Sequence, residues 1–167
     1  MDAYYYAGGR KIELERDDEH VAVDQQVAKR AGLDTRAADA GAAPQPAGGV
    51  VLTDRATFDK KTLAGLRKAG ALQPVYKRER AVLVALPEVR IEFDNPDQRR
   101  AVLDVLSERG LLRHTISEDT DDWMVVRPTS GNGRDALTIA NQVYEKAHPA
   151  AASVRFLQFV PKPGVTR

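Results

Sequence analysis

The chain has no cysteine, which excludes disulfide staples, thiol nucleophiles and cysteine-ligated metal. Aromatic residues are sparse, at 6% of 167 residues with a single tryptophan. No apolar run approaches the ~18 residues that a membrane-spanning helix needs. A surplus of either charge is also missing. Lys and Arg number 25 against 24 Asp and Glu, a formal net charge of +1, so bulk electrostatics give no reason to expect a nucleic-acid or membrane partner. The opening MDAYYYAGGRKIELE lacks an apolar stretch after a basic start, so a secretory signal is not expected and the cytoplasm is the expected location.

What is present is the composition of a soluble globular protein, 43% hydrophobic and 29% charged, long enough for one domain or two small ones. The stretch from Glu88 to Val160 carries the clearest pattern. PEVRIEF predicts a strand whose odd positions Val89, Ile91 and Phe93 face a core while Arg90 and Glu92 face water. Asn95-Pro96-Asp97 is a helix start, with a capping Asn and Pro at the first helical position. Val102, Val105, Leu106 and the stem of Arg109 predict one helix stripe, stopped by Gly110. LLRHTISEDTDDWMVV follows as two strands about an acidic turn. Ala136, Ala140, Val143 and Ala147 stripe a second helix, ended by His148-Pro149, and ASVRFLQFV is a last strand. That order is a split βαβ, ferredoxin-like arrangement.

The first half reads less regularly. Ala3 to Tyr6 and Lys11 to Glu15 predict a hairpin about Gly8-Gly9, which supply positive φ. A short strand at His20 to Val23 and a helix over Gln25 to Ala31 follow. Ala37 to Gly49, rich in Ala, Gly and Pro, predicts a loop. Val50 to Leu52 reads as a strand and Thr57 to Ala69 as a helix capped by Asp54 or Thr57. Ala71 to Tyr76 reads as a strand interrupted by Pro74, suited to an edge or a bulge. Tyr6 to Val23 and Tyr76 to Ile91 share one pattern of Tyr, polar turn, apolar strand, acidic break and apolar strand, which implies an internal repeat. The expected fold class is therefore α+β. It comprises two tandem ferredoxin-like split βαβ units, antiparallel sheets with helices on one face, the second unit more regular. The expected boundaries are 1–87, 88–160 and a tail over 161–167.

No catalytic constellation is found, so the chain is not expected to be an enzyme, and no cofactor or metal is expected. Glu118, Asp119, Asp121 and Asp122 lack the glycine and distal glutamate of a calcium loop, and a solvated turn is the simpler reading. Lys77, Arg78 and Arg80 read the same way. His20, His114 and His148 are scattered, without paired ligand spacing. Ser107, His114 and Asp104 can be written as a triad, but no nucleophile elbow supports it. Gly131-Asn132-Gly133 lacks the phosphate-cradle motifs. Trp123 reads as a core aromatic. In the tail, Pro161 and Pro163 favour an extended chain, a shape that a protease cleft accepts by strand addition.

Three stretches, YYYAGGRKIELERDDEHVAV, ALQPVYKRERAVLVALPEVRIEF and DALTIANQVYEKAHPAAASVRFLQFV, carry a resemblance that covers nearly the whole chain. Together they resemble the fervidolysin-type N-terminal prodomain of bacterial subtilisin-like serine proteases. Asp135, Ala136, Leu137, Ala140, Asn141 and Tyr144-Glu145 hold that family's helix pattern. Ser153-Val154-Arg155 stands where the family has Glu-Pro-Asn. The resemblance implies a protease partner, subtilisin-like or another serine or cysteine protease. It implies a non-catalytic inhibitor and folding chaperone whose sheet face, around Val89 to Phe93 and Phe156 to Phe159, docks on that protease. Val160, Pro161, Lys162, Pro163, Gly164, Val165, Thr166 and Arg167 would then lie in the cleft, with Arg167 a possible processing site. The alternative is a free-standing cytoplasmic adaptor of a bacterial regulatory or defence system, bound or cut by a partner protease.

Overall fold

The computed structural model describes residues 3–33 and 49–159. They form a mixed α+β protein of antiparallel sheets with four α-helices among the described residues. The chain divides into two compact units, each discontinuous in sequence. One joins residues 3–14 to 85–155, and the other joins 15–33 and 49–84 to 156–159.

The first unit opens with a hairpin, β1 (Ala3–Ala7) and the greater part of β2 (Arg10–Arg16). Ala7 pairs with Arg10, and Gly8 and Gly9 between them sit at φ 57° and 77°. Two successive left-handed residues define the tight turn whose twist matches antiparallel strands. The rest of the unit is built on β7 (Ala81–Glu92) from Ala85 onward, α3 (Pro96–Leu106), β8 (His114–Asp119), β9 (Trp123–Pro128), α4 (Gly133–Ala147) and β10 (Ala151–Phe159) as far as Arg155. The strand order is β10-β7-β9-β8, with β9 antiparallel to both β7 and β8. Strands β7 and β8 thus run the same way, joined by α3 and separated by β9.

Asn95 caps α3 as its residue type requires, its side chain accepting from the Gln98 amide at 2.9 Å. Val102, Val105 and Leu106 are buried on that helix. The helix ends at Leu106, before Gly110, with Ser107 as its cap. Arg109 therefore lies beyond the last turn, exposed, and adds nothing to the apolar stripe. On α4, Ala136, Leu137, Ile139, Ala140 and Val143 are buried.

The second unit contains β3 (His20–Asp24), α1 (Gln25–Arg30), β4 (Val50–Asp54), a 3-10 turn (Arg55–Thr57), α2 (Lys60–Lys68), β5 (Leu72–Gln73) and β6 (Val75–Arg78). The order β4-β3-β5 is antiparallel at both steps. Strands β4 and β5 therefore run parallel, joined by α2 with β3 between them. Val21, Val23, Ala28, Val51, Phe58, Leu66 and Ala71 form its core.

Two expectations change here. The helix after β4 begins later than Thr57, and its cap is Asp59, which accepts from the Thr62 amide at 2.7 Å. Pro74 sits neither in a bulge nor within an edge strand. It separates β5, which pairs with β3, from β6, which pairs with Ala81 to Val84, the start of β7 that belongs to this same unit. A residue without an N–H is cheapest where the ladder ends and the strand changes neighbours. Pro87 likewise lies inside the single long strand β7, between Val84, paired to Val75, and Val89, paired to Val126. The predicted loop over 37–49 falls outside the described residues except for Gly49, whose φ is 80°.

Candidate functional site

Strand parity in the first unit sorts β7 and β9 into two faces. Val89 stands opposite Val126 and Ile91 opposite Met124, and all four are fully buried. Arg90 stands opposite Val125 and Glu92 opposite Trp123. That second face keeps its charges in water. Arg90, Arg127 and Arg155 have side chains 52%, 49% and 62% exposed.

The charges on this face hold one another in register. Glu88 accepts from Arg127 at 2.5 Å and lies 3.5 Å from Arg155. One carboxylate thus ties β9 and β10 to β7. Arg90 Nε reaches Glu92 at 3.2 Å, and the Arg90 guanidinium carbon lies 4.5 Å from the Trp123 ring centroid. Planar stacking on an aromatic face is a geometry that arginine favours. Trp123 is half-buried beneath it rather than a core residue. Exposed ion pairs contribute at most about 1 kcal/mol each, so the network fixes the orientation of side chains more than it stabilises the fold.

A second polar cluster seats the hairpin on α4. Tyr6 Oη donates to Glu145 at 2.8 Å, Tyr4 Oη approaches the same carboxylate at 3.3 Å, and Asn141 Nδ2 donates to the Tyr4 carbonyl at 2.8 Å. The Tyr6 ring stacks on Tyr144 at 4.4 Å. The hydrogen bond to Glu145, then desolvation, push the Tyr6 hydroxyl pKa up to about 12. Tyr4 is raised as well, by burial first and then by the Glu145 charge.

In the second unit a third cluster surrounds His20. The buried Asp17 accepts from the Glu19 and His20 amides at 2.7 and 2.9 Å, and its other oxygen lies 2.9 Å from His20 Nδ1. His20 Nε2 is 3.6 Å from Asp54. Burial alone would raise the Asp17 carboxyl, but the hydrogen bonds from His20 and from the two amides outweigh it and hold it below the ordinary value. This arrangement locks the turn between β2 and β3.

No protein-family model, curated protein or solved structure matches the chain.

The residues singled out from sequence fall in several places. Val160 to Arg167, the expected cleft segment and processing site, lie outside the described residues. Ser107 Oγ donates to the Leu103 carbonyl and His114 Nδ1 contacts the Leu112 carbonyl, so both are engaged by backbone and not by each other. His148 takes a left-handed φ of 49° at the end of α4. Asp119 is held by both contacts from Arg99, at 2.8 and 2.9 Å. Asn132 caps α4 through the Arg134 amide, and Gly133 is pressed against the Ala85 carbonyl, so Gly131-Asn132-Gly133 is a capped and packed helix entry. Among the described residues, no group of three or more His, Asp or Glu side chains is placed to hold a metal ion, and no helix is long and apolar enough to cross a membrane. Sequence reasoning missed the Glu88, Arg127 and Arg155 network, because nothing local pairs residues 39 positions apart. It also missed Asp17, although Asp before a polar turn is a recognisable side-chain cap for the turn.

Proposed function

We propose that the chain is a non-catalytic, protease-associated module of the prodomain type. It docks on a protease through the open face of the first unit's sheet and offers its C-terminal segment, Val160 to Arg167, to the cleft as inhibitor and folding chaperone. The observation that carries this reading is the two-faced sheet. Val89, Ile91, Met124 and Val126 are spent on the core, while the side chains of Arg90, Glu92, Arg127 and Arg155 reach solvent on the other side, over a half-buried Trp123. A sheet face bearing arginines and an aromatic has side-chain types enriched in protein interfaces.

The finer fold reading belongs with it. We infer a ferredoxin-like first unit, supported by the order β10-β7-β9-β8 with α3 and α4 as its crossovers. The second unit is then a shortened relative that keeps one split βαβ, β4-α2-β5 about β3.

The test is inhibition of subtilisin-like proteases by the full chain, with two variants measured beside it. Arg90→Glu should weaken inhibition by roughly tenfold, about 1.4 kcal/mol, with the fold unchanged by circular dichroism. A chain ending at Phe159 should still bind but no longer block the cleft. Full inhibition by that shorter chain would refute the tail mechanism. Absence of any binding across a broad protease panel would refute the reading itself.

A further inference from the structure

The edge of the first unit's sheet at β8 combines three features that none of the contacts above uses. Strand β8 pairs only with β9 among the described residues, and Thr115 to Asp119 are exposed. The two exposed large hydrophobic side chains of the described residues, Leu112 and Ile116 at 37% and 41%, both lie at this edge. The third feature is charge of one sign. From His114 to Val126 there are four carboxylates and no Lys or Arg. Only Asp119 is neutralised, by Arg99, and Glu118, Asp121 and Asp122 have no ion-pair partner among the described residues.

Open strand edges are aggregation templates, and proteins guard them with charge and bulges. Here the guards are acidic, with one bulge between Ile116 and Glu118. Such an edge repels acidic strands and favours a strand that supplies the opposite charge. We propose that β8 is a strand-addition site for an extended, basic segment of a partner protein, in which lysine or arginine alternates with apolar residues. The main chain pairs with the outer groups of β8, an apolar side chain covers Ile116, and the basic side chains meet Glu118, Asp121 and Asp122. A second copy of this chain fits less well. From residues 113–119 it would bring only Arg113 as a cation against Glu118 and Asp119, and it would set a second bulge against the first. The site is separate from the open sheet face, so it stands or falls independently of the protease reading.

The probe is a capped hexapeptide alternating lysine and valine, added to the full 15N-labelled chain and followed by NMR. Shifts are expected at the amides of residues 114–119, weakening severalfold when the salt is raised to half molar. Glu118→Lys combined with Asp121→Lys should abolish them. The same peptide with alternate N-methylated amides should not bind, and neither should a glutamate–valine peptide. The proposal is overturned if no shifts appear at millimolar peptide. Equal binding of the N-methylated peptide, which marks mere charge adsorption, also overturns it. So does concentration-dependent shifting of the same amides without peptide together with a dimer in sedimentation, which assigns the edge to a second copy.

Discussion

Substituting Gly133→Ala should unsettle the first unit out of proportion to one methyl group. A Cβ built at this position lies 1.9 Å from the Ala85 carbonyl oxygen and 2.5 Å from its carbon. Ordinary contact needs about 3.5 Å, so α4 and β7 must part by roughly 1.5 Å at this point. Both sides of the clash are main chain, and neither can swing away as a long side chain would. Overpacking of this kind costs about 1–3 kcal/mol, occasionally more. Gly133 is the first residue of α4, outside the helix interior where alanine gains about 0.5–1 kcal/mol over glycine, so little of that is recovered and the net loss stays on the order of 2 kcal/mol. With a urea m-value of about 2 kcal/mol/M, the midpoint should fall by roughly 1 M. Trp123, the only tryptophan of the chain, lies in this unit, so its fluorescence reports the transition directly. Gly65→Ala is the control, because a Cβ there meets only a Leu33 methyl at 3.8 Å in the middle of α2. It should stabilise the second unit by up to about 1 kcal/mol, read from hydrogen exchange of β3 and β4. A Gly133→Ala midpoint indistinguishable from wild type would refute the close-approach argument.

Tyrosine titration at 295 nm should show one ring ionising near pH 12, and Glu145→Gln should bring it down towards the ordinary value. Because the folded pKa lies above the unfolded one, the stabilisation is complete below about pH 10 and is lost as pH rises through the folded value. Asp17 has the opposite sign. Its folded pKa is depressed, so its contribution is present above the unfolded value of about 3.9 and disappears on acidification through the folded one. Asp17→Asn should flatten the acid limb of the stability–pH curve, and Asp17→Ala should cost about 2 kcal/mol at neutral pH in chemical denaturation. Asn95→Ala, removing the α3 cap, should cost about 1 kcal/mol in the same assay.

Local chemistry made much of the fold legible in the sequence. Gly8-Gly9 announced a hairpin, Asn95-Pro96 announced a helix, and the alternation of Val89, Ile91 and Phe93 named the buried side of β7 before any register was known. Features set by long-range pairing were not legible. Pro74 carries the same residue-level message whether it sits on an edge or marks a change of sheet, and only the partners of β5 and β6 decide between them. Gly110 looked like a helix stop, yet the cap at Ser107 ended α3 earlier. For the candidate site, alternation predicted that Arg90 and Glu92 would face water. It could not predict that Trp123 would lie under Arg90, since that follows from the pairing of Glu92 with Trp123. Gly133 gave no sign of its role either. A glycine just past a cap is unremarkable until the strand carbonyl above it is placed.

The seating of the hairpin on α4 sets an order of events during synthesis. Residues 3–14 emerge well before residues 133–147, yet Tyr4 and Tyr6 complete their contacts only with Asn141, Tyr144 and Glu145. The Gly8-Gly9 turn can close at once, because it needs nothing beyond its own strands. Its tyrosine face must then wait, uncovered, until some 140 residues have been made. A nascent chain stalled before α4 would therefore leave bare an aromatic hairpin surface that a finished chain partly covers, a natural handle for chaperones and a natural point of failure when translation stops early.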